Sequence, residues 1–352
     1  MAINSDLDKS IKVIGLLFLL IAGLYFGKLF FIPLAFGILL SMLFLPVSNW
    51  LEQKRINRGL SSLICTLIIL LFIFGVGGVL WWQGKELAAD ADQIKQNVNS
   101  IIKDVQSFIQ QNLGMSHTQQ EQKLEEQQST VVGAALGVTL TVFQILLNLV
   151  LVLVYIFIML YYREHIKKFL LQLFKRYEKP EAKNLISNIA NVSQQYLWGL
   201  TKAVIILWVS YSFAFWIAGV QNPFLYAFLC GLMEIIPVVG TLMGVTITVF
   251  GSFAQGADTS ILLGIIVSYA VIQFIQSYFL EPVIIGGQVR INALVAIMAL
   301  LLGELIWGIP GMILAIPITG MIKITFDHIE ELRPYGFFMG EIRSKKETKT
   351  KA

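Results

Sequence analysis

The chain has 352 residues, 56% of them hydrophobic and 14% charged, with a formal net charge of +4. A soluble domain carries roughly 45–50% apolar and about 25% charged residues, so this composition excludes an ordinary water-soluble enzyme. The basic residues are scattered beside apolar runs and not gathered into a surface for nucleic acid.

The N-terminus carries Asp6, Asp8, Lys9 and Lys12 around the start of an apolar block over residues 11–26. No small-residue cleavage site follows, and Phe30, Phe31 and Pro33 run on into a second block over 29–45, so this start is expected to be an anchor and not a removed signal peptide. Further uncharged or nearly uncharged blocks occupy 60–82, 131–162, 203–220, 223–253, 259–280 and 291–322. Crossing a bilayer takes about 20 residues as helix, and most of these blocks are that long. They are rich in Leu and Ile and lack period-two alternation, which predicts helices and excludes a barrel. Cys65 and Cys230 lie inside such blocks without zinc-type or CxxC spacing, and read as buried small apolar residues.

The connections set the orientation. Lys54, Arg55 and Arg58 follow the second block; Arg163, Lys167, Lys168, Lys175, Arg176, Lys179 and Lys183 follow the fourth. Such Lys/Arg-rich connections belong in the cytoplasm, as does the tail with Arg333, Arg343, Lys345, Lys346, Lys349 and Lys351. The stretch 83–130 sets four lysines against seven acids and is expected outside. In it, Leu87, Ala91, Ile94, Val98, Ile101, Val105 and Phe108 step alternately by four and three, a heptad seam for a helix that packs either within the chain or on another subunit. Residues 114–129 read as a solvated loop. Leu185, Ile189, Val192 and Tyr196 predict a cytoplasmic amphipathic helix lying on the membrane face or on the bundle.

Two blocks in the last third are interrupted. Residues 223–236 make an arm of about 21 Å, too short for a 30 Å hydrocarbon core, before Pro237 and Gly240 break it. Gly308, Pro310 and Gly311 break the 291–322 block. Interrupted helices at matching places point to a transporter's binding site, because the freed backbone groups can face solute or ion. Both breaks fit re-entrant hairpins better than kinked crossings, since each arm is short. A carboxylate precedes each break: Glu234 in EIIPVVG and Glu304 in ELIWGIPG. An ionisable group at membrane depth costs several kcal/mol unless paired or wetted, so a functional role is the default, with amide capping or an interfacial position as the structural alternative. Glu281 and Arg290 bracket the connection EPVIIGGQVR, as site residues or as an ion pair. Gln273 and Gln276, three apart on one helical face, either line a polar path or bond between helices. The candidate transport site is therefore Glu234, Pro237, Gly240, Gln273, Gln276 and Glu281, with Glu304, Trp307, Gly308, Pro310 and Gly311 from an opposing element.

His117, His165 and His328 are scattered in polar connections and predict no metal site. No phosphate-binding GxxxxGK[ST], HExxH or GxSxG motif occurs, so neither enzymatic chemistry, a cofactor nor ATP-driven pumping by this chain alone is expected, and energy, where any is coupled, is expected from an ion or substrate gradient.

EIIPVVGTLMG at 234–244, LEPVIIGGQV at 280–289 and WGIPGMILAIP at 307–317 together resemble the autoinducer-2 exporter-like family of bacterial permeases. The likeness covers most of the chain in architecture and is concentrated in residues between 223 and 317. Asn292 and Ala293 stand where relatives often have His-Pro, and Glu304 where small residues are common. The resemblance implies a homo-oligomeric transporter of the bacterial inner membrane, a pentamer favoured, that exports a small polar signalling molecule like autoinducer-2. Some members look instead like sodium/proton antiporters, which makes H+ or Na+ the candidate coupling ion. A neutral solute needs hydrogen-bonding groups and an aromatic face such as Trp307, whereas antiport needs a titrating carboxylate. A non-transporting membrane scaffold recruiting partners through the outer seam is the reading of a different class.

The expectation is thus an all-α integral membrane protein of about eight transmembrane or re-entrant helical blocks, two of them broken, plus an extramembrane helical segment. Its organisation is read as N-terminal transmembrane helices over 1–82, the outer segment over 83–130, one span over 131–162 and cytoplasmic amphipathic helices over 163–202. A transport core follows over 203–326, and a cytoplasmic tail over 327–352.

Overall fold

A computed structural model of the chain describes residues 2–89, 96, 146–173, 179–236, 239–285 and 291–341. Among the described residues the chain is helical, with one isolated antiparallel bridge between Ile291 and Gly340. The helices are α1 (Ala2–Phe26), α2 (Lys28–Gln53), α3 (Arg58–Ala89), α4 (Leu146–Tyr161), α5 (Arg163–Leu173), α6 (Lys179–Ile217), α7 (Pro223–Met233), α8 (Val239–Ala254), α9 (Thr259–Ile275), α10 (Ala293–Trp307), α11 (Ile309–His328) and α12 (Arg333–Met339). Among the described residues, five helical stretches are each long and apolar enough to cross a membrane: Lys28–Gln53, Arg58–Val79, Lys183–Ile217, Thr259–Leu280 and Ile309–His328. Their outward faces are apolar, with Phe30, Leu71, Phe74, Val209 and Phe274 all exposed, which suits lipid and not water. The chain is an all-α multi-pass membrane protein.

Two compact units emerge. The first comprises Met1–Ile69, Leu151–Ala203 and Phe279–Ala352; the second comprises Leu70–Val150 and Val204–Tyr278. In the first unit, the adjoining ends of α2, α3 and α5 are joined by a polar clamp. Arg163 donates to Ser48 Oγ and to Glu52 Oε2, both at 2.7 Å, and Ser61 Oγ donates to the Ser48 carbonyl at 2.9 Å. Ser48 and Ser61 are fully buried, so these bonds replace water that a membrane-spanning bundle does not supply.

The amphipathic stretch through Leu185 and Tyr196 is not a separate surface helix. α6 is one helix of 39 residues, about 58 Å long, that carries this stretch straight into the apolar 203–217 run. Leu185 and Tyr196 are buried, and Gln194 donates to the Met42 carbonyl at 2.9 Å, so the apolar stripe packs against the chain's own bundle. Between α4 and α5 the axis turns by 71°, a bend the residue pattern does not announce. After α9 the helix widens into a π-helical turn over Gln276–Ile285. Pro282 lies inside it, and a proline has no N–H to donate to the preceding turn, which favours the wider winding. α3 continues ten residues past Val79 to Ala89 and so takes in Leu87, the first residue of the heptad seam. Ala91, Ile94 and Val98 through Phe108, and the loop 114–129, lie outside the described residues.

Candidate functional site

The two interrupted blocks are helical hairpins. In the second unit, α7 runs only 11 residues and α8 returns 16. Antiparallel pairs mark the seam between them: Asn222 with Gln255, Tyr226 with Gly251, Cys230 with Thr248, and Met233 with Gly240. A side chain at Gly240 would collide with the Met233 carbonyl, so the arms meet only because that position has none. At about 16 Å and 24 Å, neither arm reaches across a full hydrocarbon core.

Glu234 caps α7 at the tip of this hairpin, its backbone N–H still bonded to the Cys230 carbonyl at 2.9 Å. Its carboxylate receives donors from three other helical segments. Gln273 Nε2 donates to Oε1 at 2.6 Å, and the Tyr211 hydroxyl approaches the same oxygen at 3.5 Å. Thr241 Oγ1 donates to Oε2 at 3.2 Å and Gln276 Nε2 at 3.4 Å. The donors are cross-linked, since Gln273 Nε2 also lies 3.1 Å from the Tyr211 hydroxyl and 3.4 Å from Gln276 Oε1. Tyr211 is fully buried in a cluster of three rings, its centroid 5.5 Å from that of Phe215 and 4.8 Å from that of Tyr269, so its hydroxyl is held in place.

A carboxylate offers about four lone-pair positions, and four neutral donors address this one. No Lys or Arg pairs with it among the described residues, where ion pairs join Glu52 to Arg58 and Arg163, and Lys323 to Asp327. Such a group can accept a proton. It can share a small cation with the oxygens of Thr241 and Tyr211, or exchange its longer-bonded donors for the hydroxyls of a polar solute while Gln273 holds it in place.

The second hairpin is built differently. Gly308 turns the chain between α10 and α11 with φ of +66°, a conformation that disfavours any side chain, and its N–H bonds to the Glu304 carbonyl at 2.7 Å. Pro310 occupies the first turn of α11, where its missing N–H costs nothing. Gly303 and Gly311 face each other so closely that a Cβ on either would strike the other's backbone. Trp307 donates its indole N–H to the Leu24 carbonyl at 2.9 Å, tying the hairpin to the end of α1. The arms are unequal: α10 has 15 residues, whereas α11 has 20 and is long enough to span. The expectation of two short arms therefore holds for the first hairpin and not for the second.

The sequence-derived set thus divides. Glu234, Gly240, Gln273 and Gln276 converge in the second unit, while Glu304, Trp307, Gly308, Pro310 and Gly311 belong to the hairpin of the first, with Glu304 exposed. Glu281 lies on the π-helical turn. Pro237 and Arg290 lie outside the described residues. Tyr211 and Thr241 are additions that the residue pattern did not single out. A tyrosine inside the apolar 203–220 block was the available signal, because a buried phenol hydroxyl needs a partner. Asn292 also acquires a role: it caps α10 by accepting from Val295 N at 2.9 Å and donates to the Phe338 carbonyl at 2.6 Å, clasping α12 to the start of α10.

Residues 14–331 match the model of the AI-2E family transporter. Similar full-length proteins include YrrI of Bacillus subtilis, assigned as a transport protein, which is 25% identical over 87% of this chain and 88% of its own length. YueF of the same organism, also assigned as a transport protein, is 25% identical over 88% of this chain and 86% of its own. A Haemophilus influenzae protein assigned to transport is 21% identical over 96% of this chain and 98% of its own.

Proposed function

The chain belongs to the AI-2E transporter family, and from that premise we propose that it is a secondary transporter whose solute or coupling ion engages the Glu234 cluster. The observation that carries this reading is one carboxylate held in a membrane hairpin by two glutamines, a threonine and a tyrosine, without a basic partner among the described residues. A merely structural carboxylate at such depth is better served by an Arg or Lys, since an unpaired charge in hydrocarbon costs several kcal/mol. The amide and hydroxyl donors suit a hydroxyl-rich molecule, which favours export of an autoinducer-2-like solute. A second reading, exchange of Na+ or another cation for H+, draws support from the same unpaired carboxylate.

In this proposal the protein sits in the bacterial inner membrane as a homo-oligomer, a pentamer favoured, with both termini cytoplasmic and 83–130 outside. The test is reconstitution of the full chain in liposomes with an internal pH dye and, in parallel, labelled autoinducer-2 precursor. Saturable movement of solute or cation that Glu234→Gln abolishes is the expected result. Parental transport by Glu234→Gln in both assays sinks the assignment.

A further inference from the structure

The seam of the α7–α8 hairpin is polar along its whole length. Along α7 and its two caps, Asn222, Tyr226, Cys230 and Glu234 recur every fourth residue; along α8 and the residue after it, Thr241, Gly244, Thr248, Ser252 and Gln255 recur every third or fourth. The intervals follow the helical repeat, so each set forms one stripe, and the bonds between them show that the stripes face each other. Asn222 Nδ2 donates to Gln255 Oε1 at 3.3 Å, and Gln255 Nε2 donates to the Tyr226 hydroxyl at 2.7 Å. Tyr226 lies against Gly251, next to Ser252. Thr248 Oγ1 sits 3.2 Å from Cys230 Sγ and donates to the Gly244 carbonyl at 2.8 Å. Gly244 in turn faces the hydroxyl of Tyr269 from α9, whose ring packs on Tyr211, the neighbour of Glu234. From Gln255 to Thr241 this row covers about 21 Å of helix.

Two hydroxyls in the row lack a well-formed bond. Ser252 and Tyr269 are 2% and 4% exposed; Ser252 Oγ has Tyr226 as its neighbour and Tyr269 OH has Cys230 and Tyr211, but neither makes a hydrogen bond of good geometry among the described residues. Leaving a buried hydroxyl unmade costs about 1–3 kcal/mol, and internal water is the usual partner where several polar groups converge. Both hydroxyls lie where the direct side-chain bonds lapse: Ser252 between the Tyr226 and Thr248 rungs, Tyr269 between Thr248 and the Glu234 cluster.

We propose that a chain of water molecules threads the α7–α8 seam from Asn222 to Glu234, bridged through Ser252 and Tyr269, and delivers protons to the carboxylate. A hydronium at the Asn222 end releases one proton into the chain. Each water or hydroxyl accepts one proton and passes on another, and the Glu234 carboxylate takes the last to become the carboxylic acid. Loss of that proton to the opposite side restores every group and moves one proton net. The titratable groups along the row are Glu234, Cys230, Tyr211, Tyr226 and Tyr269; the amides of Asn222 and Gln255 only orient water. With both termini cytoplasmic, the Asn222 end opens outside, the side from which a proton gradient drives export. This inference rests on the transport reading of Glu234 and deepens it.

The experiment uses the full chain in liposomes with an internal pH dye, comparing Glu234→Gln with the pair of near-isosteric variants Ser252→Ala and Tyr269→Phe, singly and combined. Cation or solute flux is recorded alongside, and hydroxyl-radical footprinting by water radiolysis reports internal water. The combined variant is expected to slow proton flux at least tenfold with an unchanged gel-filtration profile. In the parental protein, Cys230, Tyr226 and Tyr269 should label faster than the equally buried Cys65 and Phe215. Proton flux abolished by Glu234→Gln but untouched by the combined variant overturns the water chain and leaves the transport reading standing. Indifference to Glu234→Gln overturns that reading as well. Labelling of Cys230 and Tyr269 as slow as that of Cys65 shows a dry seam and overturns the proposal whatever the flux.

Discussion

Replacing Gln273 with Met removes the shortest bond to Glu234 while keeping an unbranched side chain of similar length on α9. Three interactions disappear together: the 2.6 Å bond to Glu234, the 3.1 Å bond to Tyr211 and the 3.4 Å bond to Gln276. A hydrogen bond to a charged group contributes about 1.5–3 kcal/mol. At about 1.4 kcal/mol per tenfold, losing the Glu234 bond alone should weaken solute or cation affinity by about 10- to 100-fold. Gln276→Met is the graded control, because its amide reaches Glu234 at 3.4 Å and forms the longer bond; it should cost under about fivefold, near the 1 kcal/mol of a weak bond. The assay is the concentration dependence of uptake into liposomes at equal protein density, with thermal melting to verify folding. Equal effects of the two substitutions, or parental affinity in Gln273→Met, would refute the reasoning from bond geometry.

Two further outcomes follow from the packing and a third from the distribution of charge. Gly311→Val forces a branched side chain into the Gly303 backbone and should destabilise the α10–α11 hairpin by about 3 kcal/mol or more, read as loss of folded protein in detergent; normal yield and melting would show that the close approach is dispensable. Asn292→Ala removes a helix cap and the clasp to α12, so stability should fall by about 1–2 kcal/mol in a chemical denaturation series while transport affinity holds; an unchanged midpoint would deny the clasp. A cysteine placed at Gln119 should react with an impermeant reagent in intact cells and one at Lys175 should not, the reverse pattern inverting the proposed orientation.

Much of the architecture is legible in the residues because membrane helices advertise themselves as long uncharged runs. Both hairpin breaks are readable for a similar reason: Pro237 and Gly240, and Gly308 to Gly311, interrupt runs that have nothing else to stop them. The continuity of α6 is harder to see. Polarity falls along it from Lys183 to Val204, but no Pro and only Gly199 intervenes before Ile217, and one glycine costs a helix about 1 kcal/mol, too little to end it. Glu234 stands out as a charge inside an apolar block, and Gln273 and Gln276 as amides three apart in another. What they bond to is not a local property. Tyr211 and Thr241 reach Glu234 from α6 and α8, and nothing in sequence spacing announces which of many hydroxyls a distant carboxylate will meet. Trp307 illustrates the converse: the pattern singles out an aromatic beside a helix break, and only the coordinates show its indole N–H committed to the Leu24 carbonyl.

The claim at the centre of the account is that Glu234, and not the exposed Glu304, is the carboxylate on which transport turns. Solute counterflow in liposomes separates the two most directly, because it reports binding and translocation without an imposed gradient. Glu234→Gln should lower counterflow at least tenfold, whereas Glu304→Gln, which alters a surface carboxylate on α10, should run close to the parental rate. Parental counterflow in Glu234→Gln together with its loss in Glu304→Gln would contradict the account.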